Sequence, residues 1–269
     1  MKIILVSRID EKGALQYTKD LAGTLASWGH EVCFDISTAQ ALGCEGSTFP
    51  GSGAGIAVIV GGDGSILYAV QKMERQIPVL GINWGEVGFL ADIEPSEAEK
   101  FLMRLDEDFP VERRMRISLL KEGNFIGNAL NEALIVTSRP AKMLRFEVII
   151  DGVPAERFRA DGLLISTPTG STAYAMSAGG PIVDPRIEGV VLVPLAPYLM
   201  SSRPHVISTD RTLEIRLESS KPSKLVIDGQ LTFEFEDAGS YIVKKASEPA
   251  IFVDAKKNFF EKVDRKLRR

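Results

Sequence analysis

The chain has 269 residues, of which 45% are hydrophobic and 25% charged, and its formal net charge is −4 at pH 7. This length suits one large or two ordinary domains of about 100–200 residues each. The negative charge gives no electrostatic support to a nucleic-acid partner, and no apolar run of about 18 residues predicts a membrane helix. Two histidines, and two cysteines without CxxC spacing, argue against a structural zinc site and favour a reduced, cytoplasmic setting.

The first hundred residues alternate strand and helix patterns, which predicts a doubly wound parallel sheet in an α/β N-terminal domain. The expected strands cover residues 2–7, 31–36, 56–60 and 79–83. The expected helices cover 14–28, 65–75 and a stretch from Pro95 to about Asp106, and a loop rich in Gly, Ser and Pro is expected over 43–55.

From Val111 onwards the pattern predicts an all-β, sandwich-like C-terminal domain. The expected strands cover 114–121, 133–138, 144–151, 163–167, 190–194, 212–217, 224–228, 231–236 and 241–245. Residues 258–269 predict an amphipathic helix with Phe259, Phe260, Val263 and Leu267 on one side and its Lys/Arg residues in solvent. We expect domains at 1–107 and 108–245, with 246–269 packing back on the first domain.

The glycine-rich loop Gly61-Gly62-Asp63-Gly64 follows an apolar strand, and Ser65 opens a helical pattern. Successive N–H groups in such a turn, before a helix N-terminus, form a concave anion site. A carboxylate among phosphates repels them, but it is tolerable if it handles a metal ion or a hydroxyl proton. The loop therefore suggests phosphoryl transfer with Asp63 near the attacking oxygen, whereas the structural alternative makes Asp63 a helix cap.

Two further segments carry candidate binding groups. Arg159 and Asp161 precede a strand that ends in a hydroxyl-rich turn, Ser166–Ser177, with Tyr174 on a short helix. Hydroxyl and backbone N–H groups there could bind nucleobase edges; alternatively Ser and Thr fill a turn and cap a helix. Asn131 and Glu132 stand side by side before a strand, where they suit paired ribose hydroxyls, although a simple strand-end turn is the alternative.

These three segments, together with Asn83–Leu90 and Ser202–Pro204, resemble the NAD kinase family in order and spacing. The glycine-rich loop is shared with diacylglycerol and sphingosine kinases, whereas residues 167–174 are specific to NAD kinases. The resemblance implies an α/β domain followed by a β-sandwich-like domain. It also implies transfer of the γ-phosphoryl group of ATP to the adenosine 2′-hydroxyl of NAD, and a homodimer or homotetramer.

The resemblance implies roles for individual residues as well. Asp63 would be the proton acceptor, with Gly64 beside the phosphates and Gly61, Gly62 and Ser65 completing the phosphate loop. The substrate contacts would come from Asn131, Glu132, Lys142, Arg159, Asp161, Thr169, Thr172, Ala173, Tyr174, Ser177, Ala196 and Gln230. Lys142 and Tyr68 stand where many relatives carry arginine.

Because phosphoryl transfer has a loose transition state, we expect Asp63 to take the hydroxyl proton late, with Mg²⁺ as the counter-charge of the phosphates. ATP and polyphosphate remain open as donors. A diacylglycerol-type lipid kinase and a non-catalytic nucleotide sensor are the competing functions. We expect neither a nucleic-acid nor a membrane partner, and no protein-held metal site.

Overall fold

The computed structural model of the protein describes residues 1–85, 88–105, 108–199 and 201–267, without the side chain of Pro50. The chain forms two compact units, Met1–Arg113 with Ala250–Arg269, and Arg114–Pro249. The expected domain boundary at residue 107 and the expected helix ends at Asp106 and Arg269 lie outside the described residues. Within the described ranges, no helix is long and apolar enough to cross a membrane.

The first unit begins with β1 (Lys2–Ser7), α1 (Lys12–Ser27), β2 (Glu31–Phe34), α2 (Ile36–Leu42), α3 (Phe49–Ser52), β3 (Ile56–Gly61), α4 (Asp63–Lys72), β4 (Val79–Asn83), α5 (Pro95–Leu102) and β5 (Val111–Arg114). The second unit contains β6 (Ile117–Lys121), β7 (Asn124–Ala129), β8 (Glu132–Thr137), β9 (Leu144–Ile150), β10 (Val153–Ala160), β11 (Gly162–Ser166), a 3-10 helix (Thr169–Thr172), α6 (Tyr174–Ser177), β12 (Gly189–Leu195), β13 (His205–Ser208), β14 (Leu213–Leu217), β15 (Ser223–Ile227), β16 (Leu231–Phe235) and β17 (Gly239–Lys245). The chain then returns to the first unit with β18 (Ala250–Val253) and α7 (Phe259–Leu267).

The sheet of the first unit has the order β2-β1-β3-β4-β18-β5 and is parallel from β2 to β18. On one face, α1 and α5 pack on a core that includes Leu5, Val58 and Leu80. On the other face, Ile66 of α4 lies so close to Gly81 that a Cβ there would be 2.6 Å from Ile66 Cδ1. Helices on both faces confirm the predicted doubly wound α/β domain, whose strand order reverses between β1 and β3.

The second unit is a sandwich of two six-stranded sheets, ordered β10-β9-β14-β17-β6-β7 and β13-β12-β11-β8-β15-β16. Their pairings are antiparallel. Phe146 and Tyr241 of the first sheet share a buried core with Leu163 of the second, which confirms the predicted sandwich-like domain. Leu164 points outward into a second cluster with Ala175 of α6. Burial on both faces explains the unbroken apolar run of β11.

Several predicted elements differ from the structure. The strand expected over 114–121 is wrong, because β5 ends in the first unit's sheet and β6 starts in the sandwich. The strand expected over 31–36 runs too far, because Asp35 accepts hydrogen bonds from the N–H groups of Ser37 and Thr38 and thereby caps α2. The short helix α3 interrupts the loop expected over 43–55.

Five strands, β5, β7, β10, β13 and β18, were not predicted, apart from the last residue of β5. Four of them lie at sheet edges, where one side is unpaired, and β18 has four residues. β10 shows the difficulty best, because its sequence VPAERFRA is mostly exposed and carries no clean apolar alternation. Edge strands are often charged and irregular, which protects them from pairing with other chains.

The tail forms the predicted helix as α7, but the predicted solvent-facing role of its Lys/Arg residues is wrong for two lysines. Lys262 is 8% exposed and pairs with Asp92, and Lys266 is half-buried, whereas Phe260 is 56% exposed. The helix therefore presents cations, as well as apolar side chains, to its own unit.

Candidate active site

The glycine-rich loop connects β3 to α4, and its carboxylate is held by the segment that follows β4. Gly62 is the extended N-cap residue, and the helix begins at Asp63. Asp63 Oδ2 accepts a hydrogen bond from the N–H of Phe89 at 2.7 Å, while Oδ1 accepts from Leu90 at 2.8 Å and Ala91 at 3.4 Å. The interpretation of Asp63 as a cap of its own helix is therefore wrong, because its side chain binds a different segment.

Two glycines at this site are explained by neighbouring side chains that leave no room for a Cβ. A Cβ on Gly61 would collide with the Ser65 hydroxyl, and one on Gly88 would lie 2.5 Å from Asp63 Oδ1. Sequence reasoning noticed residues 83–90 only as part of the family pattern, whereas the structure shows why Gly88 must be small; Glu86 and Val87 lie outside the described residues. A carboxylate offers about four lone-pair positions, so the three described bonds leave one at Oδ2.

A cavity of about 220 Å³ opens beside Gly64 and Ser65, between the ends of β1 and β3. Ligands of open α/β sheets bind where the strand order reverses, which is this position. Arg8 lines the cavity and donates to both carboxylate oxygens of Asp10 at 2.9 Å. The hydroxyl of Tyr68 lies 2.8 Å from that of Ser37 on the same wall. An arginine beside the first turn of a helix suits an anionic group.

A larger cavity of about 680 Å³ lies elsewhere in the first unit, beside α5 and the residues after β18. None of the predicted site residues lines it. The smaller cavity is the better candidate, because Gly64 and Ser65 of the glycine-rich loop line it.

In the second unit, Asp228 holds Asn131 and Glu132 at the start of β8. The Asp228 carboxylate accepts hydrogen bonds from the N–H groups of Leu130 at 2.8 Å, Asn131 at 2.8 Å and Glu132 at 3.1 Å. Asp228 is 3% exposed and adopts a left-handed φ of +50° in the turn between β15 and β16. Sequence reasoning used Asp228-Gly229 as a turn signal and missed its contact with the predicted site.

Buried oxygen atoms without a hydrogen-bond partner collect at this turn. Within the described part of the chain they include Asn131 Oδ1, Glu132 Oε2 and Thr169 Oγ1. The 3-10 helix lies directly on Asn131, since a Cβ on Gly170 would collide with the Asn131 carbonyl. Because buried polar groups are normally bonded, these oxygens indicate where a polar ligand would bind. Burial and the negative charge of Asp228 raise the pKa of Glu132 to about 7.

Some hydroxyl groups of the hydroxyl-rich turn bond the protein's own backbone, and others are free to bind a ligand. Ser166 Oγ donates to the Asn131 carbonyl at 3.2 Å and Thr167 Oγ1 to the Leu130 carbonyl at 2.5 Å, while Ser171 Oγ accepts from the N–H of Val183 at 3.0 Å. The turn-filling interpretation is therefore correct for these three. It also applies to buried Thr172, whose Oγ1 donates to the Thr169 carbonyl at 3.4 Å. The Thr169 hydroxyl has no such bond, and the other predicted contacts follow along the chain as partly buried Ala173, Tyr174 (47% exposed) and exposed Ser177.

A second group of predicted residues lies at the opposite end of β11. Asp161 precedes this strand, about 16 Å of extended chain from Ser166. Its N–H donates to the Leu195 carbonyl at 3.0 Å, next to Ala196, which has a left-handed φ of +45°. The Arg159 guanidinium lies 4.3 Å from the centre of the Tyr198 ring. Arg159, Asp161 and Ala196 are thus near one another and away from Asn131.

Two predicted residues belong to neither of these two groups. Lys142 is exposed in the loop before β9, and Gln230 is exposed in the turn that carries Asp228. Across the described residues, no three His, Cys, Asp or Glu side chains come together as a metal site.

Two family models match the chain: the ATP-NAD kinase N-terminal domain over residues 3–108 and the ATP-NAD kinase C-terminal domain over residues 130–255. A curated protein of Methanoculleus marisnigri named NAD kinase is 63% identical over 268 residues, covering 100% of this chain and 99% of that protein. The NAD kinase of Methanoregula boonei is 61% identical over 269 residues and covers 100% of both chains.

Solved structures agree with these relationships. An NAD kinase from Archaeoglobus fulgidus in complex with ATP superimposes with a TM-score of 0.81 at 33% identity, covering 98% of each chain. Yeast NADH kinase complexed with NADH gives a TM-score of 0.91 over 99% of this chain and 87% of that one; at 22% identity it shows the fold alone. The chain therefore belongs to the NAD kinase family.

Proposed function

We propose that this member of the NAD kinase family transfers the γ-phosphoryl group of ATP to the adenosine 2′-hydroxyl of NAD, giving NADP, with Asp63 accepting the hydroxyl proton. The observation that carries the proposal is the fixed Asp63 carboxylate at the start of α4, which is held by three consecutive N–H groups of residues 89–91. Phosphate is favoured at a helix N-terminus, so the acceptor oxygen and the phosphates share one location. The remaining lone pair of Oδ2 is the one we assign to the hydroxyl.

Glu132 is the rival base, because a pKa of about 7 suits proton transfer near neutral pH. For this reaction, closeness of the base to the phosphates matters more than its pKa. In a loose transition state the proton leaves the hydroxyl late, so the base needs the right position more than a high proton affinity. Asp63 lies at the phosphate loop, whereas Glu132 lies among buried oxygen atoms that suit the hydroxyl groups of a ribose. This supports Asp63 as the base and Glu132 as a binding group.

For NAD binding we propose the unpaired oxygens of Asn131, Glu132 and Thr169 as partners of the nucleotide hydroxyl and amino groups. An unpaired buried acceptor costs about 1–3 kcal/mol, which a ligand donor would recover. Further contacts are proposed from Lys142, Arg159, Asp161, Thr172, Ala173, Tyr174, Ser177, Ala196 and Gln230.

We propose the cavity beside Gly64 and Ser65 for the donor phosphates, with Gly61 and Gly62 shaping the loop and Arg8 as a nearby cation. ATP is the proposed donor, and polyphosphate, as the alternative donor, would need the same anion site. We propose that Mg²⁺ enters as part of the ATP substrate, because phosphate oxygens supply the ligands that it prefers.

We also propose a homodimer or homotetramer in the cytoplasm. Tyr198, Leu199 and Val206 are exposed apolar residues of the second unit, and such surfaces favour association. Cys33 and Cys44 are free thiols, in keeping with a reducing compartment. Light scattering of the purified protein tests the assembly: a monomer at all concentrations would contradict it.

The experiment that tests the reaction measures NADP formation by the purified protein with NAD and either ATP, another nucleoside triphosphate or polyphosphate, each with Mg²⁺. We expect NADP with ATP, and no phosphorylation of a short-chain diacylglycerol. The family match does not favour the lipid kinase or the non-catalytic sensor. Tight NAD binding without NADP from any donor would support the sensor and contradict the proposal.

A further inference from the structure

The C-terminal helix α7 holds both ends of the segment that binds Asp63. Lys262 forms an ion pair with Asp92, just after the segment, and both side chains are largely buried. One turn later, the Lys266 ammonium lies 5.0 Å from the centre of the Phe89 ring. Phe89, Leu90 and Ala91 supply the three N–H groups of the Asp63 carboxylate. The two lysines therefore bracket those donors.

The charge of Lys266 also interacts with the acid itself. Burial lowers the pKa of the Lys266 ammonium, while the charge of Asp63 acts to raise it. Asp92 acts in the same direction as Asp63, whereas Lys262 and Arg265 oppose it. Four charged side chains thus act on the pKa of the ammonium, and the largest of these effects is that of Asp63.

Burying these cations costs folding free energy, because a paired buried charge is often no better than an apolar side chain of similar size. Phe101 and Leu102 of α5 show that the same unit covers other parts of its sheet with apolar residues. Two lysines at this one place therefore point to a task that an apolar residue would not perform.

We propose that Lys262 and Lys266 are positioning residues for the Asp63 carboxylate. This inference rests on the proposed role of Asp63. Lys262 fixes the end of the 89–92 segment through Asp92, so that the three N–H donors stay aligned. Lys266 lies over the ring of Phe89, whose N–H donates to the carboxylate, and its positive charge interacts with Asp63 where the negative charge of the incoming phosphates must be tolerated. The C-terminal helix is thereby part of the catalytic apparatus without contacting substrate.

The test compares Lys266→Met with Arg265→Met, which removes one positive charge from the exposed neighbouring position of the same helix. We expect Lys266→Met to lower kcat by roughly 10- to 100-fold, since a small misplacement of a catalytic group has effects of this size. The KM for NAD should stay nearly constant, and Lys266→Arg should recover most of the activity. Arg265→Met should stay within about twofold of the unchanged enzyme, as surface substitutions usually do.

Lys262→Met should lower kcat in the same way and should speed hydrogen exchange at the amides of residues 89–91, which reports their release from Asp63. In an Asp63→Asn background, Lys266→Met should have little further effect, because both changes act on one group. Equal kcat values for Lys266→Met and Arg265→Met would overturn the inference. An active Asp63→Asn enzyme would instead overturn the assignment of the base, so the two failures are distinguishable.

Discussion

The two units of the molecule use one hydrogen-bonding device in two different ways. In the first unit, the Asp63 carboxylate accepts three consecutive backbone N–H groups, of residues 89–91. In the second unit, the Asp228 carboxylate accepts three consecutive N–H groups as well, of residues 130–132. Each acid thereby fixes a segment that is distant in sequence, and three aligned donors stabilise its charge.

Exposure separates the two acids. Asp63 is half-buried and is followed by Gly64, which lines a cavity, whereas Asp228 is 3% exposed. A fixed carboxylate that can still be reached is suited to accept a proton from substrate. A fixed carboxylate that is buried holds its neighbours in place, and its charge changes the acidity of Glu132 beside it. The three hydrogen bonds thus fix the position of each carboxylate, and its accessibility decides whether it can react with substrate or only supports its neighbours.

The largest effect is expected for Asp63→Asn. The amide does not take up a proton, and it can no longer accept from all three N–H groups of residues 89–91, so kcat should fall by about 10²–10⁴-fold. The NAD dissociation constant, measured by calorimetry, should change little. Turnover close to that of the unchanged enzyme would show that the reachable carboxylate is not the base.

Asp228→Asn should act on stability and on NAD binding instead of on the chemical step. An amide cannot accept from all three buried N–H groups, and each one left unpaired costs about 1–3 kcal/mol. We expect a loss of about 2–4 kcal/mol in urea unfolding and an NAD KM raised at least about tenfold.

Asp151→Asn is the matched control for this change. Asp151 is also followed by glycine, has a left-handed φ and accepts from a backbone N–H, that of Thr212, but it is exposed. Its replacement should leave the NAD KM unaltered. An equal rise in KM for both variants would remove the special role of Asp228.

Glu132→Gln tests the raised pKa of Glu132, which is caused first by burial and second by the charge of Asp228. The pKa of Glu132 rises from 4.5 to about 7 on folding, so its contribution to stability is complete below pH 4.5 and lost as the pH rises through 7. Between pH 4.5 and 7, the free energy of unfolding of the unchanged protein should therefore fall relative to that of Glu132→Gln, by on the order of 1–3 kcal/mol. Parallel stability curves from pH 4.5 to 8 would contradict the raised pKa.

The smallest effect is expected for Thr169→Val. The Thr169 hydroxyl has no partner among the described residues, so its removal should not lower stability. If it binds NAD, the KM should rise about three- to tenfold, which corresponds to one neutral hydrogen bond. Ser171→Ala is the control, because Ser171 bonds the Val183 backbone and should lower stability without raising the KM. The reverse pattern would place the ligand elsewhere.

Local patterns were enough to predict most of the fold. The apolar runs of β1 and β3, and the glycines that end β3, are signals within a few residues, and those elements formed where expected. β10 could not be predicted, because its pairing with β9 stabilises a strand whose own residues are mostly exposed and show no apolar alternation. The division of residues 114–121 between two sheets depends on the arrangement of the whole chain and has no local signal.

The candidate site shows the same limit. Asp63 and the pair Asn131-Glu132 stand in recognisable local contexts, which made them candidates from the sequence alone. Asp228 was missed because its partners lie 96 to 98 residues away in sequence. The lysines of α7 were assigned to solvent because a basic helix end is usually exposed, and only the position of Asp92 reveals why Lys262 is buried.

The central claim is that Asp63, and not Glu132, faces the reacting hydroxyl of NAD. A crystal structure with NAD and a non-hydrolysable ATP analogue tests it most directly, through the distance from each carboxylate to the adenosine 2′-oxygen. The account predicts that Asp63 Oδ2 lies at about 2.6–3.2 Å from that oxygen, or one water away, while Glu132 contacts other groups of the nucleotide. A 2′-oxygen bonded to Glu132 and out of reach of Asp63 would contradict it.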